Sequence, residues 1–539
     1  MGREAETVRE EREQFAPPLP AWVSELVGWV AALLLALLAV GHMAATDRSW
    51  MLFYDSETVL PALVRGSVMA GQPQDWALSA VLFIPEMGVY WALAALGFGV
   101  KGTFILNAVV NFLLLYGSFR LLSGLVRPER PRSRRIVGAL VAFAATVFLT
   151  FLENSSRWDS FEVVSLLATG TFYGTTVLAS VLSTGLAAPL AVPRASLATP
   201  RRRAVLEVAL LVIIAVATLT NPLILAWEAV PLAFVFALLA RRRVTSWKLA
   251  GRLGAVLTIG ALFGLIARIP FASLITKDGP AYAKPSAAAG AGLYFLKQFS
   301  DLASTPAGTV EMGFVVALIL FAVIVFRSST RDGDVRTAVL AGMAWAAPLV
   351  VVVGMVALGG VGTRYFQPIF FAPLCLLVLV PELLARRTLG VHWRRARVLV
   401  ASIAAVCLVG SGLVALTLRD SAEAMNPDIG CVDAWIASSH RTGGGRFWTI
   451  RGPKAYLRDP GQLIQVDKSF GAYQWLTNRT DYATKNVSFV LSDTEYPAPA
   501  LPVGVENDPR QTIRCGRYTI TDFVSPVLVI GPASTNPVP

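Results

Sequence analysis

Ala77–Phe98, ALSAVLFIPEMGVYWALAALGF, is the stretch on which the fold of this chain turns. It is apolar enough to count as a membrane crossing. Pro85 and Glu86 interrupt it, however, and Gly97, Gly99 and Gly102 close it. Proline lacks an amide hydrogen, and a carboxylate is costly in hydrocarbon, so the segment reads as a helix lying at or dipping into the membrane surface. That choice sets the side of every later loop.

On either side of it lie long apolar runs. A crossing needs about 20 apolar residues, which places spans near Val23–Ala44, Phe104–Leu125, Ile136–Phe151, Phe161–Leu182, Val205–Leu219 and Leu223–Ala240. Further spans fall near Leu253–Ile269, Met312–Phe326, Thr337–Leu358, Pro368–Leu384 and Val398–Leu418. The expected fold is an α-helical polytopic membrane protein of about 11 transmembrane helices. Arginines cluster in alternate connections, at Arg127–Arg135, Arg194–Arg203, Arg241–Arg252, Arg327–Arg336 and Arg386–Arg397. Positive loops face the cytoplasm, so residues 1–22 form a cytoplasmic tail and 23–418 the membrane domain, with an outer loop at 45–103. Residues 419–539 then lie outside the cytoplasm, in a multi-pass protein of the plasma membrane.

Composition agrees with this reading. Of 539 residues, 55% are hydrophobic and 15% charged, against about 25% charged in soluble domains. The net charge of +12 sits in short clusters between apolar runs and marks no nucleic-acid partner. No phosphate-binding glycine loop, dinucleotide fingerprint or Ser-His-Asp arrangement is present, so no nucleotide is implied. His42, His392 and His440 are scattered and suggest no metal set.

The tail changes character. Strand-like pieces RFWTI, QLIQV, VSFVL and RYTIT alternate with turn residues, as in a small α/β domain of about 120 residues. Outside the cytoplasm, Cys431 and Cys515 are expected to form a disulfide, whereas Cys375 and Cys407 read as small buried hydrophobes.

Three sites carry candidate chemistry. In the first outer loop Asp55 and Glu57 precede an amphipathic helix at Thr58–Met69. Carboxylates beside lipid have perturbed ionisation and suit a general base, the alternative being a cap at Ser56 or Glu57. A divalent cation between the two carboxylates stays open. In ENSSRWDSFEVV, Glu153, Asp159 and Glu162 flank Arg157, as a second acidic site or a salt-bridged turn. In VGTRYFQPIFFAPL, Arg364 and Tyr365 enter a late span, where a guanidinium suits a phosphate or pairs with a carboxylate such as Glu86. Lys101, Arg268, Lys277 and Lys284 are weaker phosphate candidates, and Glu207, Glu228 and Glu382 have no obvious partner.

The FYDSE motif (Phe53–Glu57), the IPEMGVYWALAALGFG segment, Asp159 and TRYFQP (Thr363–Pro368) together resemble the GT-C superfamily of polyprenyl-phosphate-sugar glycosyltransferases. The likeness covers roughly residues 23–384. It implies a sugar donor on an isoprenoid phosphate and a glycan, lipid or protein acceptor. It also implies Asp55 as base, with Glu57 second and Asp159 supporting, and lipid phosphate held by Arg364 and Tyr365, with Lys101 weaker. Asp55 and Arg364 should then converge at one headgroup pocket. A secondary transporter or lipid flippase, or a non-catalytic surface protein, are the rival readings.

Overall fold

In the computed structural model, residues 20–157, 159–193, 199–276, 283–381, 393–505 and 508–533 are described. The N-terminal tail through Leu19, together with Arg194, Lys277, Glu382, Arg386 and His392, lies outside them. Among the described residues seven helices are long and apolar enough to cross a membrane: Ala21–Ala45, Gly99–Val126, Arg132–Leu152, Pro200–Thr220, Trp247–Phe271, Pro306–Asp332 and Val335–Ala357. Gly174–Leu190 and Thr363–Leu379 are shorter apolar segments. Helix Trp393–Glu423 returns to the first, where Ser411 Oγ donates to Leu34 O at 3.0 Å.

Ala77–Phe98 forms no long helix. Its start is extended, with Trp76–Ala77 paired antiparallel to Thr477–Asn478 of the tail. Phe83 takes a left-handed turn (φ 51°) ahead of the 11-residue helix Ile84–Ala94. Such a helix rises about 16 Å, roughly half the hydrocarbon thickness, and is too short to cross.

Charge sorts the two ends of the bundle. Glu25 pairs with Arg120, Arg127 with Asp334 at 2.8 Å, and Arg336 with Glu129 at 3.7 Å. These contacts gather the connections around 127–135 and 327–336 at one end. At the opposite end the 153–165 connection, Asn221, Arg364 and the C-terminal domain come together.

Two expected spans differ in form. Phe161–Leu182 becomes helical only from Gly174, after a tight turn at Ser165–Ala168. Glu153 explains the delay: its carboxylate accepts the amides of Val164 and Ser165, each at 2.7 Å, and fixes them in a turn. The late span is broken into Thr363–Phe366, Pro368–Leu374 and Cys375–Leu379. Pro368 opens the middle piece, and Pro373 inside it withholds an amide donor near the change from α to tight helical turns at Cys375.

The C-terminal domain has helix Pro427–Ser439 against a five-stranded sheet ordered Leu463–Val466, Gly443–Arg446, Phe489–Asp493, Tyr518–Asp522, Gln511–Cys515. The first two pairings are parallel, the last two antiparallel. RFWTI, expected as a strand, is mostly helix Phe447–Lys454, and the strand is the glycine run before it. A side chain at Gly443 would meet the Phe489 ring at 2.2 Å, and one at Gly445 would meet Ile450. The run is therefore a place where rings lie directly on a backbone, not a loop.

Cys431 and Cys515 form the expected disulfide, Cα atoms 5.4 Å apart, across 84 residues. Cys375 is buried and free. Reduction should lower the domain's stability by about 2–4 kcal/mol, visible as a lower unfolding temperature. Maleimide should reach these two thiols only after reduction; labelling mapped to Cys431 or Cys515 in the unreduced protein would contradict the pairing.

Candidate functional site

The acidic loop follows directly from the first membrane helix. Short helix Ser49–Phe53 ends at Tyr54, and the chain turns through Asp55, Ser56 and Glu57 before helix Leu60–Met69. Asp55 Oδ1 accepts the amides of Glu57 at 2.9 Å and Thr58 at 3.1 Å. Neither Ser56 nor Glu57 caps the helix, which starts at Leu60 without a side-chain cap; Asp55 instead closes the turn ahead of it. Asp55 is 3% exposed. Burial first, and then the neighbouring charge of Glu57, push its carboxyl up to about 6, against the pull of the Thr58 and Glu57 amides and of Arg364. A carboxylate tuned towards neutrality is the range in which general bases work.

Glu57 reaches the far part of the chain. Its Oε1 lies 2.7 Å from Arg364 Nη1, and both side chains are largely buried. Arg364 therefore does not pair with Glu86, whose carboxylate accepts the Thr175 hydroxyl. The guanidinium also lies over the rings of Phe172 at 5.7 Å and Tyr365 at 5.6 Å. Tyr365 stacks on Tyr173 at 5.9 Å and 18°. Arg364 Nε is buried and has no hydrogen-bond partner among the described residues. An apolar cavity of about 340 Å³ opens beside this segment, lined in part by Phe161, Phe299, Met312, Trp345, Ile369 and Phe370.

Asp159 is held by Arg157 through both carboxylate oxygens, at 2.9 and 2.7 Å. The Tyr294 phenol is raised by burial and by the charge of Asp159, and lowered by those of Arg157 and Arg364. Lys101 is engaged differently: its ammonium donates to Ala424 O at 2.7 Å and lies over the Phe53 and Tyr54 rings. Arg268 donates to Leu219 O and Ala80 O and so clamps backbone. Among the described residues no group of three or more His, Cys, Asp and Glu side chains is placed to hold a metal ion.

Two buried arginines were not singled out by sequence. Arg48 donates to Ser165 Oγ at 2.8 Å and Ser155 O at 2.7 Å, facing Glu153 and Glu162, and so ties the acidic loop to the 153–165 connection. Arg451, from the C-terminal domain, donates to Ser56 O at 2.5 Å and to Leu476 O. Ser56 Oγ in turn donates to Phe447 O at 2.9 Å, and Tyr456 donates to Phe53 O at 2.7 Å. Neither arginine stands out in sequence, since each gains its meaning from a segment remote along the chain.

No protein-family profile matches this chain, and no curated protein matches it. Among solved structures, the crystal structure of the Archaeoglobus fulgidus oligosaccharyltransferase, tethered with an acceptor peptide via a disulfide bond, superposes with a TM-score of 0.44 at 14% identity. That overlap covers 88% of this chain and 70% of the other. It is too loose to carry an argument.

Asp55 makes a pH-dependent contribution to stability. Its carboxyl is raised from 3.8 to about 6 on folding, so the folded state binds the proton more tightly and stability falls as pH rises between those values. Asp55→Asn keeps the capping oxygen and removes the charge. Its stability relative to the parent should rise by up to about 3 kcal/mol as pH goes from 4 to 7. Parallel unfolding curves of the two proteins over that range would contradict this assignment.

Proposed function

We propose that this protein is a membrane glycosyltransferase that moves a sugar from a polyprenyl-phosphate donor to a cell-envelope glycan, lipid or protein acceptor. In this reading the N-terminus is cytoplasmic, and the acidic loop and C-terminal domain lie on the extracytoplasmic face. The observation that carries it is the 2.7 Å approach of Glu57 to Arg364, which joins the first loop to the TRYF segment with Asp55 buried alongside.

The chemistry follows from the residue types. An acceptor hydroxyl attacks the anomeric carbon and its proton passes to the Asp55 carboxylate, as the bond from that carbon to the phosphate oxygen breaks. The electron pair leaves on the lipid phosphate, whose negative charge rises by one. Arg364 faces that charge with an unused buried Nε donor. Tyr365 fixes the guanidinium from one side. The isoprenoid chain occupies the apolar cavity lined by Phe161, Met312 and Phe370. Activation resides in the donor's phosphate ester, and no nucleotide takes part. Glu57 is the second carboxylate of the site, and Asp159 supports it through Tyr294. A divalent cation would be held by Asp55 and Glu57 and would supply positive charge to the donor phosphate; comparing transfer with and without chelator tests for it.

Asp55→Asn should lower transfer from a radiolabelled polyprenyl-phosphate sugar by about 100- to 10,000-fold, while the purified protein stays folded with its disulfide closed. Arg364→Lys should weaken use of the donor. Full transfer by the Asp55 variant would remove the base assignment. A wild-type protein that moves the labelled lipid across vesicles without forming a glycosylated product would favour the transporter reading instead.

A further inference from the structure

Arg451 is buried, whereas Arg458, Arg510 and Arg514 of the same domain are exposed. It sits on helix Phe447–Lys454, which packs its backbone onto the acidic loop: a side chain added at Gly452 would meet Tyr54 O at 2.7 Å. Its Nε donates to Ser56 O, the carbonyl between Asp55 and Glu57, and another nitrogen donates to Leu476 O. The Phe447 ring lies 5.0 Å from its guanidinium carbon. One nitrogen, Nη2, is buried without a hydrogen-bond partner among the described residues.

The acids of its own domain are engaged elsewhere. Asp481 pairs with Lys454, and the Tyr482 hydroxyl lies within hydrogen-bonding distance of two carbonyls, Gln465 O at 2.9 Å and Tyr473 O at 2.7 Å. Through Ser56 O the Arg451 charge sits at the turn that carries the two carboxylates of the loop. Burial lowers its guanidinium to about 10, with Glu57 and then Asp55 the largest charges acting the other way. It stays cationic at neutral pH. Asp55 faces Glu57 on its own loop, Arg364 from the TRYF segment, Arg451 from helix Phe447–Lys454, and the Tyr496 phenol beyond strand Phe489–Asp493. Glu57 thus meets Arg364 directly, and Arg451 holds the Ser56 carbonyl that lies between the two acids.

We propose that Arg451 is a positioning residue of the acidic loop: it fixes Ser56 and supplies the second counter-charge for Asp55 and Glu57, so the site is complete only with the C-terminal domain docked. This deepens the transferase reading and rests on it for the meaning of Asp55 as a base. A neutral side chain at position 451 would leave two carboxylates facing Arg364 alone, and the Asp55 proton would be held more tightly.

The test uses the full chain in lipid nanodiscs. Infrared titration follows the protonated carboxyl band that is missing from Asp55→Asn, and needs no substrate. In Arg451→Gln, which keeps a hydrogen-bond donor, the midpoint of that band should move up by about one pH unit or more, the effect of losing a nearby opposite charge. Arg451→Lys should return it to near the wild-type position. In transfer assays the acid limb of the pH profile should move with the band while the donor KM stays within about twofold; that fold-range is our margin for a residue that touches no donor. A folded Arg451→Gln protein with an unmoved midpoint overturns the proposal. If that variant does not fold, Arg451→Lys decides: a retained midpoint supports the counter-charge, and one displaced upward as far as expected for Gln overturns it. If the band moves but the wild-type protein transfers no sugar, the transferase reading falls and the positioning role stands. If transfer depends on Asp55 but the band does not move, this inference alone falls.

Discussion

Two carboxylates two residues apart, withdrawn from water, cannot both stay charged without cations beside them. Breaking such a buried pair costs about 3–5 kcal/mol, because one charge is left uncompensated. This constraint organises the end of the molecule where the site lies. Asp55 and Glu57 are held in one turn by the cap that Asp55 itself makes. Arg364, from a proline-broken segment late in the membrane domain, pairs with Glu57, and Arg451, from the C-terminal domain, holds the Ser56 carbonyl between the two acids. Arg364 sits on the short turn Thr363–Phe366, directly ahead of the helix that Pro368 opens.

Arg48 plays the matching part on the other side of the loop. With no exposed surface, it satisfies its donors on Ser165, Ser155 and Glu162 and lies near the carboxylates of Glu153 and Glu162. Glu153 spends both oxygens on backbone amides. The first loop is thereby fixed to the connection that carries Asp159, which is itself paired with Arg157. Three remote stretches of chain converge through arginines, each of which would be prohibitively costly to bury without its partners.

Much of this was legible in the sequence. The long apolar helices, the arginine-rich connections that pair at one end, and the interrupted segment after Pro85 all follow from local composition. The disulfide followed from the contrast between polar and apolar surroundings of the cysteines. What was illegible depended on contacts between distant residues. Nothing in FEVVSLLATGTFY announces that Glu153 will hold its amides in a turn. The glycines at 443–445 read as a loop until Phe489 and Ile450 are seen lying against them. Asp55 and Arg364 both read as site residues, yet the direct ion pair runs through Glu57, because Asp55 turns one oxygen inward to cap its own loop. Arg451 carried no local signal at all.

The pairing of Arg364 with Glu57 bears on how a phosphate could use the same guanidinium. An arginine wholly consumed by a structural carboxylate would have to abandon it before binding a donor, leaving Glu57 buried and charged. The geometry avoids that exchange. A guanidinium offers five N–H donors in a plane; Nη1 faces Glu57, while Nε has no partner among the described residues. Aromatic rings of Phe172 and Tyr365 lie near the guanidinium and restrict its movement. One side chain can therefore hold the acidic loop and face a second anion together. Charge arriving on a departing phosphate would then strengthen an interaction already in place, and the loop carrying Asp55 would remain fixed while it accepts the proton.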